Sequence, residues 1–122
     1  MNMNEKLIQT FDLKNNLVLE LFDASKKITG DRYQVSLVSR IRIPIRNDLF
    51  GKELKSTDIE DIISALGEIV IYEDKDERNF VDEKEKADVL KELCDQVEVN
   101  ALKYYRHPNF AGKFVLKTYQ SL

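Results

Sequence analysis

Arg32–Arg46, RYQVSLVSRIRIPIR, is the stretch whose reading decides the fold. Tyr33, Val35, Leu37, Ile41, Ile43 and Ile45 fall on one side of an extended chain, interrupted only by Ser39. Gln34, Ser36, Arg40, Arg42 and Arg46 fall on the other, with Val38 the exception. Alternation of period two over more than ten residues marks a strand with one buried and one wet face, the pattern of an antiparallel sheet. Pro44 has no amide hydrogen to donate, so pairing should weaken there or the strand should lie at an edge.

Two shorter strands precede it. Leu7–Leu13 reads as the first, and Asn15-Asn16 suits the turn after it, because asparagine tolerates left-handed backbone angles. Leu17, Leu19 and Leu21 then alternate with Val18, Glu20 and Phe22 as a second strand, which fades through Asp23–Lys27. Thr29-Gly30-Asp31 is the turn into the long strand.

Downstream, Asn47–Ser56 reads as a loop. Thr57-Asp58-Ile59-Glu60 matches a capping box, and Ile59, Ile62, Ile63 and Leu66 recur at helical spacing until Gly67. Glu68 to about Val81 reads as a fourth strand. Asp82 and Glu85 supply the next helix start, and Ala87, Leu90, Leu93, Cys94, Val97, Ala101, Leu102, Tyr104 and Tyr105 mark a long amphipathic helix that stops at His107-Pro108. Counted from Asp82 it would be nearly 40 Å long at ~1.5 Å per residue. Phe110, Phe114, Val115, Leu116 and Tyr119 form a closing segment, read as a fifth strand or extended tail. The expected fold is α+β: an antiparallel sheet of four to five strands, β-β-β-α-β-α and then a tail, with one short and one long helix on one face. Residues 1–122 are expected to form one domain, since no repeat or Gly/Ser/Pro-rich linker divides them. Leu37, Ile41, Leu90, Leu93 and Val97 are the expected core.

Composition narrows the classes. The 122 residues are 43% hydrophobic and 34% charged, above the ~25% usual for charged residues, so the surface is heavily solvated. A net charge of −3 and pI near 5.3 argue against nucleic acid as the partner, because such proteins use excess Lys and Arg to displace counterions. Cys94 is the only cysteine, so no intrachain disulfide can form. Met1–Lys6 is polar, unlike a signal peptide, and no apolar run reaches the ~20 residues that span a bilayer. The expected setting is the cytoplasm, without a membrane partner.

Motifs for chemistry are sparse. His107, the only histidine, sits at a helix end, where a cation complements the helix dipole. Cys94 falls within the apolar stripe, as a small buried hydrophobe rather than a reactive thiol. One Cys and one His cannot furnish a usual zinc site. Asp74, Asp76 and Glu85 have calcium-loop spacing, but Arg78 and Asn79 occupy positions where an oxygen ligand and a glycine belong. The four glycines are scattered, so no phosphate loop exists. Neither a catalytic residue, nor a metal, nor a cofactor is expected.

Two polar clusters remain. Arg40, Arg42 and Arg46 project from one side of the long strand, with Arg32 at its start; such a row can bind phosphates or carboxylates by bidentate hydrogen bonds, or simply pair with acids across strands. Tyr104, Tyr105, Arg106 and His107, with Lys113 nearby, have the composition of an interface. The expected function is a non-enzymatic binding or protein-interaction module, homo-oligomeric through an exposed strand edge, whose partner is itself or another protein. The alternative is a domain that binds an anionic small ligand or nucleotide on the arginine face.

Overall fold

The computed structural model describes residues 5–51 and 54–122. Residues 1–4 of the polar amino terminus, and residues 52–53 of the expected loop, lie outside the described residues. The architecture is α+β, with five antiparallel strands and three α-helices among the described residues.

The long alternating stretch becomes β4 (Arg32–Pro44), the spine of the sheet. β5 (Ile69–Asp82) pairs with it from Arg32 to Pro44. The other side of β4 is shared: β2 (Val18–Asp23) pairs with Leu37–Ile41, and a short β3 (Lys26–Thr29) pairs with Arg32–Gln34. β1 (Lys6–Asp12) adds outside β2. Pro44 is the last residue of β4, where its missing donor matters least.

β3 is an addition to the expected β-β-β-α-β-α and tail, and a helix replaces the tail, so the observed order is β-β-β-β-α-β-α-α. Where β2 hands over to β3, the Asp23 carboxylate accepts from the Ser25 amide at 2.9 Å, and the Ser25 hydroxyl accepts from the Ser36 amide at 3.0 Å. A side chain thus replaces the backbone partner that a straight strand would have supplied. All four β3 side chains are exposed, so no buried face imposed an alternation on them.

The core lies on the face of β4 that carries Val35, Leu37, Ile41 and Ile43, each fully buried. Leu93 and Val97 join them from above, and Leu90 packs at the margin, as the helical stripe predicts. Ser39 is also buried there, with no hydrogen-bond partner for its hydroxyl among the described residues.

α1 (Ser56–Leu66) buries Ile59 and Ile62, and Gly67 ends it at φ 90°, its amide donating to the Ile63 carbonyl at 2.8 Å. Its start differs from the sequence reading. Lys55 is the N-cap, Thr57 lies inside the first turn, and Asp58 rather than Glu60 accepts the N-cap amide, at 3.2 Å. α2 (Lys86–Asn100) begins after a turn rather than at Asp82. The Asp82 carboxylate holds that turn, accepting from the Lys84 amide and from Arg32, both at 2.9 Å. These contacts keep its pKa below the usual carboxylate range, the Lys84 amide most of all. α2 continues into a π-turn, Ala101–Tyr105, in which the Arg106 amide reaches back to Ala101 at 3.1 Å. Helix and π-turn together are about 30 Å long, shorter than expected.

The closing segment is neither a strand nor an extended tail. It is α3 (Phe110–Gln120), with Ala111 and Val115 buried one turn apart. Gly112 allows α3 to lie against the loop after β4, for a Cβ there would stand 2.6 Å from the Leu49 carbonyl oxygen. No helix among the described residues is long and apolar enough to cross a membrane.

Candidate functional site

The arginine row lies on the face of the sheet opposite the core, and most of it is already partnered. Arg40 donates to both oxygens of Glu5, at 3.2 and 3.3 Å, and to Glu73 at 3.3 Å, while its guanidinium sits over the Phe22 ring at 4.8 Å. The Glu5 hydrogen bonds raise its pKa above the ordinary value against partial burial, and Glu73 adds to the effect. Arg42 pairs with Glu20 at 3.2 Å and Arg32 with Asp82 at 2.9 Å. Arg46 lies beyond the end of β4 in a pocket with Asn15, Asp48 and Pro108, apart from the other three. Carboxylates of the chain itself thus occupy the positions that an anion would take at Arg32, Arg40 and Arg42.

The second cluster divides. Tyr105 is buried; its hydroxyl lies 3.2 Å from that of Tyr72, and its ring centroid is 5.3 Å from both Tyr72 and Phe110. Burial pushes its phenol well above the usual tyrosine range, helped by the Tyr72 hydrogen bond. The Tyr105 carbonyl accepts from Asn15 Nδ2 at 2.8 Å, tying the end of the π-turn to the β1–β2 turn. Arg106 folds back, its Nε donating to the Leu102 carbonyl at 2.9 Å.

Tyr104 and His107, by contrast, face a groove of about 390 Å³ between the π-turn and α3. Phe110 and Phe114 line it with rings nearly parallel and centroids 6.3 Å apart, while Lys103, Lys113 and Lys117 stand around it. His107 Nδ1 accepts from the Asn109 amide at 3.1 Å, which fixes the turn at one end. Phe110, Phe114 and Lys117 are not legible as site residues while their segment reads as extended; Lys103, in the segment read as helix, carries no sequence signal of its own. Phe110/Phe114 and Lys113/Lys117, each four residues apart, were the available signal.

A third feature is the outer edge of β5. This 14-residue strand has β4 on one side and no strand on the other among the described residues. Apolar side chains stand exposed towards its ends, at Ile69, Ile71 and Phe80. Between them runs Glu73-Asp74-Lys75-Asp76-Glu77-Arg78. Lys75 and Glu77 form a pair along the strand at 2.9 Å. Asp76 is partly buried, and that burial, followed by the charge of Asp74, raises its pKa while Arg78 opposes the rise. Asp74 and Asp76 are thus strand residues, and among the described residues no group of three His, Cys, Asp or Glu side chains is placed to hold a metal ion. Cys94 is half-buried at the margin of the core, where burial pushes its thiol up.

Neither family models, nor curated proteins, nor solved structures yield a match to this chain.

Proposed function

We propose that this chain is a non-enzymatic protein-interaction module of the cytoplasm that works as a homodimer, formed when β5 pairs antiparallel with β5 of a second copy. A long unpaired edge is a template for another strand, and two-fold self-pairing is one way of covering it. The observation that carries the reading is the charge order along that edge. A two-fold axis normal to the sheet and passing through Asp76 sets Asp74 opposite Arg78 and Lys75 opposite Glu77, each twice. Four opposed pairs are then complementary, and the like-charged contact is Asp76 with its own copy. Shifting the axis to Lys75 would instead oppose Lys75 to itself, Glu73 to Glu77 and Asp74 to Asp76, which are all like charges. The same residues that blunt the edge against other strands therefore select one register with a copy of itself. The within-strand Lys75–Glu77 pairs of two copies would merge into a four-charge cluster of alternating sign.

Sedimentation equilibrium on a charge-reversal series tests this. Lys75→Glu places Glu opposite Glu twice, and at ~0.5–1 kcal/mol per exposed cross-strand contact it should raise the dimer dissociation constant about tenfold or more. The double variant Lys75→Glu/Glu77→Lys restores opposite charges and should bring the constant back close to that of the parent. A parent that stays monomeric at all concentrations, or a double variant as weak as the single one, refutes the reading.

A further inference from the structure

We infer that the groove between the π-turn and α3 is a docking site for an extended segment of another protein, one that carries carboxylates at alternate positions and an apolar side chain beside them on the same face. The groove is separate in function from the β5 edge, and the inference does not depend on self-pairing. Its chemistry is one-sided. Lys103, Lys113 and Lys117 contribute three positive charges, and among the described residues no aspartate or glutamate lines it, although the chain as a whole carries −3. Its floor is aromatic: Phe110 and Phe114 are half-buried, and Tyr104 stands 60% exposed, so apolar surface is open to a partner. An apolar centre within a charged rim is the anatomy of a protein interface, with aromatic anchors at its centre.

Shape separates a peptide from a small molecule. Small-ligand sites enclose most of the ligand, whereas this groove is an open trough along two turns of one helix. A trough leaves a small anion largely in water, where lysines bind it weakly, but it can hold one side chain of a longer chain whose neighbours meet the rim. Spacing then selects the partner's form. Lys113 and Lys117 lie one helical turn apart, with Cβ atoms roughly 5–6 Å from each other. Alternate residues of an extended segment project from one face about 6.6 Å apart, close to the same repeat. Carboxylates at alternate positions would therefore meet both lysines, while a flanking apolar side chain enters between Tyr104 and Phe114.

The test is selection from a random peptide library displayed against the whole chain, followed by titration of a labelled winner by fluorescence anisotropy. Enriched sequences should carry Asp or Glu at two alternate positions, with an aromatic or aliphatic residue two positions before or after them. Binding should weaken on the order of tenfold or more in Lys113→Glu/Lys117→Glu, and it should fall steeply with added salt. The melting temperature of that variant should fall only slightly, since Lys117 lies in the last turn of α3. Tyr104→Ser should weaken it at every salt concentration. Winners without carboxylates, no enrichment at all, or affinity that the double lysine variant leaves intact would overturn the inference. So would vesicles containing phosphatidylglycerol that bind the parent, but not the double variant, where the peptides fail.

Discussion

Ile41→Ala should lower the unfolding free energy by about 2–5 kcal/mol, the largest loss expected from a single truncation here. Ile41 has no exposed surface, and it stands mid-sheet between Leu19 of β2 and Tyr72 of β5. Neither neighbour can move far into the space left, because both are held by ladder hydrogen bonds as well as by packing. Domains of this kind are stable by only ~5–15 kcal/mol, so such a loss is readily seen as a fall in denaturation midpoint at constant slope. Ile71→Ala is the internal control. It removes the same atoms from the same sheet at a half-exposed position and should cost far less in the monomer. Similar losses at the two sites would mean that the buried face has been misassigned.

Gly112→Val should destabilise by about 2–3 kcal/mol, for a different reason. Its Cβ would stand 2.6 Å from the Leu49 carbonyl oxygen, a backbone atom that cannot rotate aside as a side chain would. Either α3 retreats, loosening Ala111 and Val115 in the core, or the loop after β4 gives way. Gly112→Ala makes the same contact with a smaller group and carries an opposing term, since alanine favours helix over glycine by ~1 kcal/mol. The sign of the alanine effect therefore reports how far the loop can yield, and thermal or chemical melts of both variants measure it. A stabilised valine variant would show that the close approach is not a constraint.

Legibility in the sequence followed burial. β4 is plain because Val35, Leu37, Ile41 and Ile43 are fully buried on one face while Arg40 and Arg42 mark the other; that second face is not wet throughout, since Ser36 and Val38 are buried too. β3 was invisible because none of its side chains is buried; a backbone ladder and the Ser25 hydroxyl hold it instead. α3 was misread because Phe114-Val115-Leu116 is a short apolar run of the kind strands also show, while its helical signal lay in pairs four residues apart. The Thr57–Glu60 pattern misleads because Asp58, three residues past Lys55, closes the turn two residues earlier.

The candidate sites divide in the same way. The sequence shows that Arg40 points away from the core, but its partners Glu5 and Glu73 lie 35 and 33 residues away and become visible only with the strand register. Of the groove, Tyr104, His107 and Lys113 are legible in the sequence, whereas Phe110, Phe114 and Lys117 join them only once α3 is a helix. The charge order of Glu73–Arg78 can be read directly in the sequence, yet it acquires meaning only when β5 proves to be an edge strand.

A cysteine scan along β5 tests the self-pairing register most directly. In a Cys94→Ser background, Asp76→Cys should form an intermolecular disulfide under mild oxidation. Residues directly opposed across an antiparallel ladder have Cα atoms ~4.5–5.5 Å apart, within the ~4.4–6.8 Å that a disulfide spans. Asp74→Cys and Arg78→Cys should not link to themselves, because each would sit four residues, roughly 13 Å, from its own copy. An equimolar mixture of those two variants should cross-link as a heterodimer. Failure of Asp76→Cys to link, or equal linking at all three positions, would contradict pairing of β5 about Asp76.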